Sequence, residues 1–313
     1  MQPYKVVAVK TSKYKKQADL FAVLKSNNFI VDHNLGKKDF DFFYLHGIKK
    51  KSRIDNNIYE TIEKLSNRYK KPILIREAPS LRQISDGSNS KGIPFNSKWL
   101  KLSWNSFFMD EGIYPYDASY NRWEDLCKKY NITVHDWKRR GDAILVNLQI
   151  SNDSALNKLI YKNICYKDYL INKLIEIKKY SDRPLIIRPH PREKQDKKFY
   201  EILHSMFNNI IISDQDLYTD LNRSWCVVTY NSTSCVETNL YGTPTITLDS
   251  SAIASELSQP IKYIEENNYP DRSDWCKKIA FHQWAGHELH DSYVWNLLMN
   301  FYSDAKKSLE SKL

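Results

Sequence analysis

The sequence predicts an α/β fold made of two Rossmann-like halves, and three observations carry that reading. Short apolar runs alternate with segments of helical periodicity, the pattern of βαβ units around a mainly parallel sheet. The rhythm breaks between Ser80 and Pro115 and begins afresh at Gly141. Two polar sequences, Arg188-Pro189-His190-Pro191-Arg192 and Tyr230-Asn231-Ser232-Thr233-Ser234-Cys235-Val236-Glu237, each follow an apolar run in the second half. They therefore stand at the carboxyl ends of buried strands, where open α/β sheets bind ligands.

In the first half, Lys5 to Lys10 reads as a strand and Tyr14 to Ser26 as an amphipathic helix. Phe29-Ile30-Val31 is a second strand, and Phe40 to Leu45 a third that ends at His46-Gly47. Asn57 to Tyr69 places Ile58, Ile62 and Leu65 at helical spacing, and Pro72 opens the strand Ile73-Leu74-Ile75. Ser80 to Pro115 is rich in Ser, Asn, Gly and aromatics, including Asp86-Gly87-Ser88-Asn89-Ser90, and reads as a long functional or mobile loop. Tyr120 to Tyr130 returns to a helix, and Val134 to Arg140 leads into a domain junction.

The second half opens with the strand Ala143-Ile144-Leu145-Val146, followed by one or two helices within Ser154 to Tyr180. Leu185-Ile186-Ile187, Ile210-Ile211-Ile212, Cys226-Val227-Val228 and Thr245-Ile246-Thr247-Leu248 supply further strands, with helices over 193–208, 214–223 and 232–241. His290 to Leu313 reads as one long closing helix with Val294, Leu297, Leu298 and Phe301 on one side. The expected division is a first domain over 1–140, a second over 141–285 and a C-terminal helix over 286–313 that packs back. A cleft between the two halves is the expected ligand site.

At 313 residues the chain is long enough for two domains with real cores. Mean hydropathy is −0.60, and no run approaches the ~18 apolar residues of a membrane span. The start, Met1 to Val9, reads as a core strand and not as a signal peptide. Five scattered cysteines without a Cys-x-x-Cys pair speak against a disulfide framework or zinc site, so a cytoplasmic protein is expected. The net charge of +10 admits either a lysine-rich solvated surface or a polyanionic partner, such as nucleotide, anionic glycan, membrane surface or DNA. Lys49-Lys50-Lys51-Ser52-Arg53 and Trp137-Lys138-Arg139-Arg140 are its short basic clusters.

The prolines around His190 fix the backbone at the strand end and hold its imidazole in place. That ring can donate to a phosphate oxygen, with Arg188 or Arg192 adding charge; it can equally be a surface residue on a rigid turn. Ser232-Thr233-Ser234 opens a helix whose unpaired N–H groups suit an anion, with Asn231 in the loop before it. Glu237 either accepts hydrogen bonds from ribose hydroxyls or simply stabilises the helix dipole. Together the two strand ends form a pocket for a nucleotide phosphate.

These motifs, with Thr238-Asn239-Leu240-Tyr241-Gly242-Thr243-Pro244 after the second, resemble the C-terminal half of GT-B glycosyltransferases related to capsule polysaccharide biosynthesis proteins, a group including Kdo transferases. In such families a His-Pro motif and a serine-bearing loop hold the nucleotide phosphate. The resemblance implies a GT-B-like fold and assigns His190, Arg188, Asn231, Ser232, Thr233, Ser234 and Glu237 to the donor site. Glu77-Ala78-Pro79-Ser80-Leu81-Arg82 is similar to the Glu-Asp-Gly-Phe-Leu-Arg motif of capsule proteins, with Ala78 in place of the acid and Pro79 in place of the glycine. Trp275 to Trp284 is similar to a Trp-and-Gln-Trp segment near the end of related proteins.

Transfer to an acceptor hydroxyl requires a general base or, in a retaining enzyme, a nucleophile. Glu77 is the leading candidate; its alternative is a carboxylate paired with Arg76 or Arg82. Asp110-Glu111-Gly112 reads as a polar turn. The expected enzyme uses a UDP- or CMP-linked sugar as co-substrate, with no metal and no other cofactor. The acceptor is a glycan or lipid-linked glycan, or DNA bearing a hydroxylated base, as with phage enzymes that flip their target. A non-catalytic nucleotide-binding protein and an epimerase of the same architecture are the other readings.

Overall fold

A computed structural model describes residues 3–9, 18–47, 56–81, 84, 98–151, 153–193, 196–266 and 268–311. Lys49 to Arg53, Arg82 and Asp86 to Ser90 lie outside the described residues. The chain divides into two compact units, Met1–Ile132 with Cys276–Leu313, and Thr133–Trp275.

The first unit runs β1 (Lys5–Ala8), α1 (Ala18–Ser26), β2 (Ile30–Asp32), β3 (Phe42–His46), α2 (Asn56–Tyr69), β4 (Ile73–Glu77), β5 (Trp99–Trp104) and α3 (Arg122–Tyr130). The second contributes β6 (Ala143–Asn147), α4 (Asn157–Tyr161), α5 (Tyr166–Lys178), β7 (Leu185–Arg188), α6 (Lys197–Met206), β8 (Ile210–Ile212), α7 (Leu217–Asn222), β9 (Ser224–Thr229), α8 (Ser234–Leu240) and β10 (Thr245–Thr247). Helix α9 (Ser273–Phe281) spans the change of unit, and β11 (Gln283–Ala285), α10 (Ser292–Asn300) and α11 (Tyr302–Glu310) complete the first unit.

The first sheet has the order β11-β5-β4-β3-β1-β2. Strands β1 to β4 pair in parallel, whereas β5 and β11 are antiparallel. Two expectations are corrected here. Ser80 to Pro115 is not wholly irregular, because β5 lies inside it with all six residues buried. Its polar Lys101 and Ser103 disguise a strand that is covered on both faces. Gln283 and Trp284 likewise belong to a strand of this sheet, opposite Lys101 and Leu100. The tail is two helices and not one: the chain bends at Phe301 (φ −93°, ψ 0°) between α10 and α11. Both pack back on the first unit, through Trp104 Nε1 donating to the Leu298 carbonyl at 3.0 Å and Asn105 Nδ2 to that of Ala305 at 2.7 Å.

The second sheet is wholly parallel in the described residues, in the order β10-β9-β6-β7-β8. The chain starts at the central β6, moves outward through β7 and β8, then returns to β9 on the other side. The strand order therefore reverses at β6/β9, the switch point where such sheets bind ligands. Alternate residues feed two cores: Ile144, Val146, Ile187 and Val228 face α5 and α6, while Leu145, Ile186 and Val227 face α7. Gly242, at φ +84°, turns the chain from α8 towards β10. A Cβ there would lie 2.1 Å from the Asp136 carbonyl, so the turn demands glycine.

Candidate functional site

Register brings the carboxyl ends of three strands to one level. Asn147 is the Cα partner of Arg188 on β7 and of Thr229 on β9. With strands about 4.8 Å apart, β7 and β9 flank the end of β6 at a separation of about 10 Å. His190 and Ser232, in the loops that leave β7 and β9, therefore stand on either side of Asn147 at the same edge of the sheet.

His190 is half-buried, and its Nδ1 accepts the backbone N–H of Arg192 at 3.1 Å. That bond fixes the neutral tautomer with the proton on Nε2. The ring is thus prepared as a hydrogen-bond donor. A cavity of about 460 Å³ opens beside it, lined by Ser151, Tyr166, Lys167, Glu193 and Tyr200 among others. Glu193 is tied across it, accepting from Ser151 Oγ at 2.8 Å.

The loop before α8 is locked from beneath. Gln149 grips Asn231 with both ends of its amide: Oε1 accepts the Asn231 N–H at 2.9 Å, and Nε2 donates to Asn231 Oδ1 at 2.9 Å. Asn231 Nδ2 donates to the Ala155 carbonyl and to Ser251 Oγ, both at 2.8 Å. Asn231 is therefore satisfied within the protein, and its visible work is to fix the loop. Ser232 Oγ accepts from Ser234 N at 3.3 Å and Ser234 Oγ at 3.0 Å. Among the described residues, the backbone N–H groups of Ser232 and Thr233 make no hydrogen bond. Both residues are half-buried. Glu237 is buried one turn into α8.

Arg188 leaves its strand on the α7 face. Its Nη1 pairs with Asp220 Oδ2 at 2.9 Å and also meets the Gln215 carbonyl. Ser213 Oγ donates to the same carboxylate at 2.8 and 2.7 Å from its two oxygens. Asp220 is only 3% exposed, so much of this charge is neutralised inside the fold.

Asn147 was not singled out from the sequence. It is 5% exposed; Nδ2 donates to Ser234 Oγ at 3.2 Å, and its buried Oδ1 has no partner. Turning the amide over, with the Ser234 hydroxyl released from Ser232, would let Oδ1 accept from that hydroxyl and leave Nδ2 unanswered instead. Either way one amide atom at the switch point awaits a partner, which buried polar groups rarely lack. No local pattern marks this residue, since its serine partner lies 87 positions on.

Glu77 lies in the other unit, at the carboxyl end of β4. Its Oε1 accepts the backbone N–H of Ala78 at 2.8 Å. The carboxylate shares the α2 face of its strand with Ile73 and Ile75, whereas Arg76 leaves on the opposite face. No ion pair joins the two among the described residues. Directly across the antiparallel pairs stand Lys101 and then Gln283. Gln283 Oε1 accepts the N–H groups of Ser80 and Leu81 at 2.9 and 2.8 Å, fixing the loop that Glu77 opens.

Asp110, Glu111 and Gly112 form a tight turn that returns to Trp104 through Ile113. Trp137 to Arg140 sit at the amino edge of the second sheet, where Lys138 N bonds the Gly242 carbonyl and Arg272 stacks on Trp137 at 3.9 Å. Among the described residues no group of three or more His, Cys, Asp or Glu side chains is placed to hold a metal ion. No described helix is long and apolar enough to cross a membrane.

No family model and no curated protein matches the chain. Solved structures do. The beta Kdo 2,4 transferase KpsC of Thermosulfurimonas dismutans aligns over 90% of this chain and 91% of its own, at a TM-score of 0.53 and 14% identity. The beta Kdo 2,7 transferase KpsC of the same organism aligns over 95% and 99%, at 0.51 and 14%. The chain shares their fold, a GT-B architecture of two Rossmann-like lobes with C-terminal helices packing back.

Proposed function

We propose that this protein is a glycosyltransferase that moves a sugar from a UDP- or CMP-linked donor to a glycan or lipid-linked acceptor. The observation that carries the reading is the convergence of His190, Asn147 and the Ser232–Ser234 loop on one edge of the second sheet at its switch point. The fold shared with two Kdo transferases over nearly their whole lengths supports it.

Breaking the bond between sugar and nucleotide leaves negative charge on the departing phosphate. Donors already fixed in place stabilise such charge without reorganising. His190 Nε2–H, the backbone N–H groups of Ser232 and Thr233 and, with its amide turned over, Asn147 Nδ2 are the groups we assign to it. Arg188 then acts mainly at a distance, since Asp220 holds its Nη1. Glu237 is assigned to the ribose hydroxyls and the cavity beside His190 to the nucleoside, whose size it fits. Glu77 is assigned to the acceptor side, as general base for the hydroxyl or as nucleophile in a retaining reaction.

A thermal-shift panel of nucleotides and nucleotide sugars tests the reading, because a ligand of the folded state alone raises the melting temperature. UDP- or CMP-type ligands are expected to raise it, with His190→Ala removing the shift and Glu77→Gln keeping the shift but not the turnover. Turnover is expected to survive EDTA. No response to any nucleotide, or an undiminished response in His190→Ala, would refute the assignment.

A further inference from the structure

The face of the first sheet opposite α2 holds a buried positive charge. Arg76 is only 8% exposed, near the carboxyl end of β4, and is the register partner of His46 on β3. Alternation places Tyr44, His46 and Arg76 on this one face, away from Phe43, Leu45 and Ile75. Tyr44 is wholly buried, with its ring edge-on to Phe21 at 6.0 Å.

Among the described residues, nothing around this guanidinium neutralises it. Its Nη1 meets His46 Nδ1 at 3.3 Å, a bond that needs the imidazole nitrogen unprotonated and so brings no negative charge. Its Nε is buried without a hydrogen bond of good geometry, and the neutral Tyr44 hydroxyl stands close enough to interact with the guanidinium but brings no negative charge. Among the described residues no carboxylate forms an ion pair with Arg76. The adjacent Glu77 leaves by the other face and bonds its own chain at Ala78. Arginine stays charged in proteins, so leaving it unanswered inside a sheet is costly. Contrast Arg122 in the same unit, also buried, whose guanidinium meets both oxygens of Glu288.

We propose that Arg76, with the Tyr44 hydroxyl and His46 beside it, receives an anionic group, a carboxylate or a phosphate, carried by a ligand of the first unit. The position suits this, because parallel strands β3 and β4 both end here. The planar fork of a guanidinium matches either group with paired hydrogen bonds. Burial pushes the Tyr44 phenol far up, so it stays protonated and can donate a further bond. The site is distinct from the His190 edge and does not depend on the transferase reading.

The test uses the full chain carrying His190→Ala, so that anions at the second sheet do not contribute. Melting temperature is followed while inorganic phosphate, or glycolate as the carboxylate probe, replaces chloride at constant ionic strength. At least one probe is expected to raise it by several degrees, and the stronger arm identifies the group the site takes. Arg76→Met is expected to melt no lower than its parent in chloride, since an apolar isostere removes an unanswered charge, and to lose the response. Tyr44→Phe is expected to keep the melting point in chloride and weaken the response. The proposal is overturned if neither probe stabilises the parent, if the response survives in Arg76→Met, or if Tyr44→Phe leaves it unchanged.

Discussion

His282 makes the stability of the first unit depend on pH in a calculable way. The ring is 2% exposed, lies against Tyr114 with centroids 4.2 Å apart, and has no partner for its buried Nδ1. Burial, with smaller contributions from Lys101 on β5 and Lys278 on α9, lowers its pKa to about 3 from an ordinary 6.5. The folded state therefore keeps the imidazole neutral where the unfolded chain would protonate it. Its contribution is complete above pH 6.5 and is lost progressively as pH falls towards 3, because the unfolded state binds the extra proton. One pKa unit is worth about 1.4 kcal/mol, so about 2 kcal/mol should go between pH 7.5 and pH 5. His282→Phe keeps a ring against Tyr114 and removes the titration. Urea unfolding at the two pH values should show the variant losing about 2 kcal/mol less than the parent over that interval. Equal losses in both proteins would mean that the buried imidazole is not what the unfolding proton titrates.

Two further outcomes follow from the second sheet. Asn147→Asp places a carboxylate where the anion is assigned and should weaken UDP or CMP binding by at least about tenfold in calorimetry, with Asn147→Ala losing less. Asp220→Ala leaves Arg188 partly buried without its partner and should cost about 3 kcal/mol in urea unfolding, whereas Asp220→Ala with Arg188→Met should recover most of it.

The parts of the fold that could be read from the sequence are those whose physics is local. Strands β4, β6, β7 and β9 are apolar runs because helices cover both faces, and such runs stand out between polar loops. Strand β5 is buried just as fully but interrupts its apolar residues with Lys101 and Ser103. Lys101 tolerates that place through the Phe107 carbonyl at 3.5 Å and the rings of Phe107 and Tyr114, contacts made only after folding. Strand β11 has three residues, too few for a period, and its pairing to β5 crosses most of the chain.

The same division governs the candidate site. His190 was legible because flanking prolines constrain it locally, and Ser232 because serines at a strand-to-helix turn have a local meaning. The roles of Asn147, Gln149 and Arg188 depend on partners 87, 82 and 32 positions away. An asparagine at the end of an apolar strand reads as a solvated terminus until its neighbours are known. Here it is nearly sealed from water, and its uncommitted amide atom is what favours the proposed binding edge over a mere helix cap. The same reasoning distinguishes the two buried arginines of the first unit. Arg122 finds Glu288 and explains itself as structure, whereas Arg76 finds a histidine, a neutral phenol and, among the described residues, no carboxylate. An anion from outside the fold would lower the cost of such a charge, which is why the proposal places a ligand at the unanswered group and not only at the conspicuous motif.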